Sequence, residues 1–445
     1  MQSGCRIVSG AGPHLMEIMV VRRTQRWSGL AQTIGPGIMY AGAAIGVSHL
    51  VQSTRAGANY GFTLVWAVIV VHLFKYPFFE FGHRYTAATG ESLLVGYRRV
   101  GRWALISYLI IALGLSIPTA AVLTIVTAGM ASQTVAVSLT PMTWGVILLT
   151  CCVLVLASGG YPLLDKLMKV LMAFLAVCTV VAVVAAAGHG RVAAPGFAVP
   201  GFAAPKVWDV AGIAFLVMLM GWMPTPVDAS AWPSLWMQER IKQTRHQPTL
   251  REALFDFNLG YVSSLITALM FLSLGALVMF GTGETFPQGA ADFAARFVGM
   301  YTSALGEWSR PVVITAAFTT MLSTTLTVLD GYPRVLTAGC RVAWPGAQKL
   351  GKAPYWAFMI VMMVGALLIY RYLTSRMLTL VDFATTLAFL SAPLFAYLNC
   401  RAIAVGKLPK EAAPPKWLSV LSWAGLIFLT CFSVLFLVVR FGYGR

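Results

Sequence analysis

GPGIMYAGAAIGVSHLVQSTRAGANYG, at residues 35–61, decides how the rest of the chain is interpreted. The stretch begins as a membrane helix does, with no charged residue before Arg55, and is then interrupted by Gly46, Ser48 and His49. Non-helical backbone at membrane depth is tolerated only where protein buries it or where it lines a water-filled cavity. The stretch therefore predicts a transmembrane helix that is broken near its middle.

A second interruption, Met223-Pro224-Thr225-Pro226, falls in the sixth apolar segment of the chain. Interrupted helices at corresponding positions of two halves are the best sequence indication of a transporter's binding site. We therefore expect a secondary transporter whose substrate binds between the two breaks.

The composition is that of an integral membrane protein. Of 445 residues, 58% are hydrophobic and only 11% are charged, whereas soluble domains carry about 25% charged residues. The net charge of +17 comes from basic residues in short loops, as membrane orientation requires, so the expected partner is membrane lipid and not nucleic acid. The seven cysteines show no metal-binding spacing, and no catalytic motif is present, so we expect neither an enzyme nor a cofactor.

Eleven apolar spans are predicted, each near or above the roughly 20 residues that cross a bilayer. They lie at 34–56, 60–82, 103–131, 141–159, 167–187, 209–236, 257–281, 310–339, 355–373, 380–399 and 417–439. With the N-terminus inside, 22 of the 32 Lys and Arg residues fall in cytoplasmic segments, 9 fall outside and Lys75 lies within a span. This bias predicts a multi-pass protein of the plasma (inner) membrane with a cytoplasmic N-terminus and an external C-terminus.

The predicted fold is an all-α LeuT-like inverted repeat of five plus five helices, with broken first and sixth helices and an added eleventh. The parts are a cytoplasmic tail (1–33), a first repeat (34–187), an outer loop (188–208), a second repeat (209–399) and a loop with the eleventh helix (400–445).

Five motifs resemble those of the Nramp divalent-metal transporters. They are G35-P-G-I-M-Y-A-G-A-A-I with Q52-S-T-R-A-G-A-N-Y-G, H72-L-F-K-Y with T89-G-E-S-L, M223-P, L322-S-T-T and L390-S-A-P-L. The likeness covers about residues 30–400. It implies the same fold, and a divalent metal as the substrate.

The sequence departs from this family at the positions of its chemistry. The family's Asp-Pro-Gly-Asn, whose Asp and Asn bind metal, is Gly46-Val47-Ser48-His49 here. The metal-binding Met of the family's Met-Pro-His is kept as Met223, but the His is Thr225, and a further family His corresponds to Ser230. The resemblance implies proton coupling, but some of the residues that the family uses for it are replaced in this sequence.

Two kinds of substrate remain open. A metal would be held by His49, Met223 and Asp228, a softer ligand set than the family's. An organic solute would place its carboxylate against backbone N–H groups near Gly46 and Ser48. The predicted substrate-contacting residues for either are Gly46, Ser48, His49, Met220, Met223 and Thr225. The alternative for His49 is a pore-lining or hydrogen-bonded core histidine.

Ionisable residues at membrane depth are functional candidates because they are costly there. Those proposed for charge balance or coupling are Asp228, Asp330, His72 and Glu80. Glu80 and His83, three residues apart, are expected to contact each other on one helix face. No Asp or Glu occurs between Glu91 and Asp165, where the family carries acids of its proton route.

A channel and a solute sensor are the alternatives to a transporter. The two-half pattern favours alternating access over a channel. The sequence names neither the metal, the coupling ion nor the oligomeric state.

Overall fold

The computed structural model describes residues 29–134, 137, 139–188 and 202–442, and no strand occurs among them. The helices of this part are α1 (Pro36–Ala44), α2 (Thr54–Tyr60), α3 (Val65–Thr89), α4 (Leu93–Val100), α5 (Arg102–Thr134), α6 (Pro141–Gly188), α7 (Val210–Gly221), α8 (Trp232–Thr244), α9 (Leu250–Val278), α10 (Ala290–Leu305), α11 (Arg310–Ala343), α12 (Ala353–Leu373), α13 (Met377–Val405) and α14 (Lys416–Gly442). Most of the predicted tail and most of the predicted loop at 188–208 lie outside the described residues.

Eight helices in this part of the chain are long and apolar enough to cross a membrane. The other three predicted spans are the two interrupted helices and one more, because α6 joins two predicted spans in a single helix. A straight helix of 48 residues would be about 72 Å long, more than twice the hydrocarbon core. Gly160, with φ 52° and ψ −148°, breaks α6 between the predicted spans 141–159 and 167–187. The chain is therefore an all-α integral membrane protein with the predicted LeuT-like plan.

The first membrane helix is broken where the sequence predicts. Helix α1 starts at Pro36, in the first turn where a missing N–H costs nothing, and ends at Ala44. Ile45 has non-helical dihedrals, and a π-helical segment, Ser48–Ser53, then leads directly into α2. The polar residues of the interruption thus lie in irregular backbone at the centre of the helix.

The sixth membrane helix is broken at its Pro-containing motif. Helix α7 ends at Gly221, and regular structure resumes with the 3₁₀ segment Val227–Ala231 and then α8. The two prolines lack the N–H that would continue the helical ladder, so the interruption follows from the sequence.

Glycine pairs bring both halves of the first helix close to α9. A Cβ atom at Gly57 or Gly275 would collide with the backbone of the facing helix, and the same holds for Gly37 and Gly260. Small residues are the usual means by which membrane helices approach each other closely. The broken first helix therefore packs along α9 at both of its ends.

Helix α10 lies in the segment that connects the predicted spans 257–281 and 310–339.

Candidate functional site

A small cavity with mostly buried lining residues lies between the two helix breaks. Its volume is about 20 Å³, which is room for about one water-sized species. The lining residues are Ala43, Ala44, Val47, Ser48, Thr119, Leu123, Trp222, Thr225, Pro226, Trp232, Thr324, Val328 and Tyr332. Of the predicted substrate contacts, only Ser48 and Thr225 are among them. The cavity surface is thus mainly apolar, with five side-chain hydroxyl groups.

The first break is sealed by Thr324 of α11. Its Oγ1 lies 2.8 Å from the Gly42 carbonyl oxygen and 2.9 Å from the Ile45 carbonyl oxygen. These carbonyls lose helical partners where α1 ends, and they share the single hydroxyl hydrogen of Thr324. A Cβ atom at Gly46 would lie 2.5 Å from Thr324 Oγ1 and within 2.8 Å of two of its carbons. The position where the family carries its Asp therefore has no space for a side chain.

His49 is a fully buried and fully engaged side chain. Its Nδ1 lies 2.7 Å from Ser48 Oγ, and its Nε2 lies 3.0 Å from both the carbonyl oxygen and Oγ of Ser264 on α9. The donor and acceptor roles depend on the tautomer. Both ring nitrogens have partners, an arrangement typical of a hydrogen-bonded core histidine.

The Gly46 backbone amide at the first break also has a partner. The Gly46 N–H donates to the Ala44 carbonyl oxygen at 3.0 Å, and Ser48 Oγ donates to the same carbonyl at 2.8 Å. Open N–H groups for a substrate carboxylate were expected here, and the Gly46 amide does not fit that expectation.

The second break is sealed by the ammonium group of Lys75, on α3. Lys75 is fully buried, and its Nζ donates to the carbonyl oxygens of Met220 at 2.7 Å, Gly221 at 3.0 Å and Thr225 at 3.4 Å. An ammonium group has three donors, and three carbonyls take them. Two of these carbonyls belong to the last turn of α7, where the helix dipole favours a positive charge.

Asp228, in the 3₁₀ segment after the second break, is a buried carboxylate. Among the described residues, neither of its carboxylate oxygens has a hydrogen-bond donor in good geometry. Weaker hydrogen-bonding interactions reach it from the Tyr332 hydroxyl and from backbone amides of its own segment, and the Lys75 ammonium attracts it electrostatically. A buried, unsatisfied carboxylate is a feature that a bound cation would explain.

The predicted His49–Met223–Asp228 set stays a prediction. Met223 is fully buried. None of the three residues lines the cavity between the breaks. Among the described residues, no three His, Cys, Asp or Glu side chains are grouped closely enough to hold a metal ion. A metal at the centre would therefore rely on hydroxyl, carbonyl or thioether atoms in addition to Asp228.

Two of the predicted coupling residues are held in ion pairs. Asp330 bonds Arg334, at 2.6 Å and 2.8 Å, and also accepts from Trp236 Nε1 and the Tyr355 hydroxyl. Glu80 pairs with Arg84, at 2.6 Å.

The expected Glu80–His83 contact is wrong. The guanidinium of Arg84, one residue further on, takes both oxygens of Glu80, because residues four apart also share a helix face. His83 Nδ1 instead lies 3.3 Å from the Phe79 carbonyl oxygen. His72 bonds the Val68 carbonyl at 2.7 Å through Nδ1, and its Nε2 has no partner among the described residues.

Hydrogen bonds and an ion pair around Gly35, together the Gly35-side network, hold one end of the first broken helix. The Asp256 carboxylate of α9 accepts from the Gly35 N–H at 3.0 Å and the Gly37 N–H at 2.6 Å, which caps the N-terminus of α1. Arg240 of α8 donates to the Gln32 carbonyl at 2.7 Å and contacts Asp165 at 3.2 Å.

The ion pair between Arg55 and Asp382, the Arg55-side ion pair, holds the other end of the first broken helix. Arg55 of α2 contacts Asp382 of α13 at 2.7 Å, and Gln52 donates to the same carboxylate at 3.2 Å. The side chains of Arg55 and Asp382 remain 12% and 25% exposed. The central cavity therefore has polar contacts on both sides of it.

Lys75 and Thr324 are the residues whose role sequence reasoning missed. Lys75 is noticeable as the Lys or Arg that lies deepest within a predicted span, but its partners are 145 to 150 residues away along the chain. Thr324 is part of the L322-S-T-T motif, and nothing in its sequence indicates that its hydroxyl closes the first break.

The comparisons with known proteins agree with this architecture. The sequence model of the natural resistance-associated macrophage protein-like family, Nramp, matches residues 37–439. The chain belongs to the Nramp family. An uncharacterised protein of Pasteurella multocida is 34% identical over 419 residues, which is 94% of each chain. This likeness covers nearly the whole sequence.

Solved structures place this Nramp-family chain in its fold. A mutant of the manganese transporter of Eremococcus coleocola superposes with a TM-score of 0.65 at 14% identity, covering 94% of this chain and 89% of that one. MhsT in complex with L-phenylalanine superposes with a TM-score of 0.59 at 13% identity, covering 91% and 98%. At such identities the likeness establishes the fold.

Proposed function

We propose that this chain is a secondary active transporter that carries a divalent metal ion by alternating access through the cavity between its two breaks. The single observation that carries the proposal is Asp228, a buried carboxylate beside the second break whose oxygens have no hydrogen bond in good geometry among the described residues. Asp228 does not line the cavity itself, but the Tyr332 hydroxyl, which acts on Asp228, does. A buried charge without full compensation is destabilising, so the site favours a bound cation. Family membership and the manganese transporters of the same fold support a divalent one.

The small volume of the cavity supports an ion over an organic solute as the substrate. A volume of about 20 Å³ takes one water-sized species, and the Gly46 amide that would receive a carboxylate already has a partner. The hydroxyl groups of Ser48, Thr119 and Tyr332 line the cavity and would supply oxygen ligands of the kind that hard cations prefer.

Alternating access is supported by the contacts at the two ends of the first helix. The Gly35-side network and the Arg55-side ion pair join this helix to α8, α9 and α13. In our proposal one set opens while the other stays closed, which exposes the cavity to one side at a time. Proton coupling is part of the proposal, with His72 as a candidate carrier because its Nε2 is free of hydrogen bonds among the described residues.

The test is metal uptake into proteoliposomes, read by a metal-quenched dye inside, for Mn²⁺, Fe²⁺, Ni²⁺, Zn²⁺ and Mg²⁺. We expect saturable uptake of at least one metal. Asp228→Asn should reduce it at least tenfold, because removing a charge partner of a buried ion costs about 3 kcal/mol or more. The matched control is Asp292→Asn, on the exposed face of α10, which should leave uptake unchanged. If none of the five metals is taken up, the proposal of a metal substrate is contradicted. If uptake falls equally in both variants, the proposed role of Asp228 is contradicted.

A further inference from the structure

The ammonium group of Lys75 is surrounded by backbone carbonyl oxygens, as a cation is in a binding site formed by backbone atoms. Its three partners are carbonyl oxygens, at 2.7, 3.0 and 3.4 Å, and they come from the end of α7 and from the second break itself. Among its hydrogen bonds in the described part of the chain, none goes to a carboxylate. Rings of backbone carbonyls are the means by which membrane proteins replace the hydration shell of monovalent cations.

The carbonyls at this point need a cation or a donor. Helix α7 ends at Gly221, so the carbonyls of its last turn have no intrahelical partner and carry the negative end of the helix dipole. The Thr225 carbonyl lies within the break and accepts from the same ammonium at 3.4 Å. Lys75 is fully buried, and a buried Lys is costly unless it is well compensated, which argues for a specific arrangement.

We propose that Lys75 is a tethered monovalent cation: its ammonium permanently occupies a three-carbonyl cation site formed by Met220, Gly221 and Thr225. The shape of the second break is thereby maintained without a dissolved sodium, potassium or ammonium ion. Lys75 is a positioning residue in this proposal, because it acts on the backbone of the break. The proposal does not depend on the identity of the transported solute, since its readouts are properties of the purified protein.

Chemical rescue tests the proposal directly. Lys75→Ala removes three methylene groups and the ammonium, which together have the composition of n-propylammonium. We expect the purified variant to melt at a lower temperature than the natural protein and to recover most of the loss in n-propylammonium chloride. N-methylglucamine chloride at equal ionic strength and n-propanol, which has a similar size but no charge, should not restore it.

The matched control is Lys242→Ala. Lys242 lies on α8 with 71% of its side chain exposed, so its truncation should leave no site for an amine. A gain of melting temperature in n-propylammonium that is no larger for Lys75→Ala than for Lys242→Ala would overturn the proposal. So would equal rescue by n-propanol, which would show that only a filled volume is needed.

Hydrogen exchange of two milder variants provides a second test if Lys75→Ala does not fold. Lys75→Met keeps the apolar stem and loses the charge, and Lys75→Arg keeps the charge. We expect amides of residues 217–231 to exchange roughly tenfold faster in Lys75→Met, as the loss of charged hydrogen bonds implies, and to stay protected in Lys75→Arg. Exchange in Lys75→Met at the natural rate would overturn the proposal, whether or not the protein transports a metal.

Discussion

The two helix breaks are closed by opposite means. At the first break a neutral hydroxyl, Thr324 Oγ1, covers the carbonyls of Gly42 and Ile45. At the second break the charged ammonium of Lys75 covers the carbonyls of Met220 and Gly221. The same backbone problem, a helix that ends inside the membrane, thus has a neutral solution in one half and a charged one in the other.

This difference moves the polar centre of the molecule toward the second break. The first break holds no formal charge if His49 is neutral, and Gly46 leaves no room to add one. The ammonium group of Lys75, on α3, lies at the second break, and Asp228 follows this break in the chain. Each of the two groups acts electrostatically on the other. Compared with the family motif that the sequence resembles, in which the first break carries an Asp, this chain has its buried carboxylate after the second break.

The largest effect is expected from restoring the family's acid by Gly46→Asp. The new Cβ would lie 2.5 Å from Thr324 Oγ1, and overpacking together with a buried, unpaired carboxylate should cost about 3 kcal/mol or more of unfolding free energy. The measurement is thermal unfolding of the purified protein.

Two further variants sharpen the Gly46→Asp experiment. Gly299→Asp on α10, where a Cβ meets nothing within 4 Å, should be tolerated. Gly46→Asp with Thr324→Ala should be more stable than Gly46→Asp alone, since two of the three clashing atoms are gone. A Gly46→Asp protein as stable as the natural one would show that the first break has space for a carboxylate.

The next largest effect should come from Asp256→Asn, which tests how α1 is held. The charged partner of α1 is at its far end, where Asp256 accepts from the Gly35 and Gly37 amides, whereas α7 has its charged partner at the break. Hydrogen bonds to charged groups contribute about 1.5–3 kcal/mol, so we expect a loss of about 2 kcal/mol in thermal unfolding. Asp292→Asn should cost nothing measurable. Equal stability of the two variants would mean that glycine packing against α9 is sufficient to hold α1.

The sequence predicted both breaks, and the reasons are local. Gly46 and the prolines of the second motif interrupt helices through their own backbone properties. The partners of the breaks could not be predicted, because Thr324 lies about 280 residues from the carbonyls it satisfies, and only packing shows which helix faces which. The same limit explains His49: its spacing suggested a ligand, and its engagement by Ser264 of α9 depends on a contact 215 residues away.

The smallest effect should come from Thr324→Val, the neutral counterpart of Lys75→Met. Valine keeps the shape of threonine and removes only the hydroxyl, so the Gly42 and Ile45 carbonyls lose a neutral hydrogen bond, at a cost of about 1 kcal/mol. Thr315→Val on the same helix is the matched control, because that hydroxyl is exposed and bonds only the Pro311 carbonyl of its own helix. Thermal unfolding should rank Lys75→Met as the least stable of the three variants, Thr324→Val next and Thr315→Val nearest to the natural protein. A Thr324→Val protein less stable than Lys75→Met would reverse the comparison, since the neutral seal would then be the one on which the centre of the transporter depends.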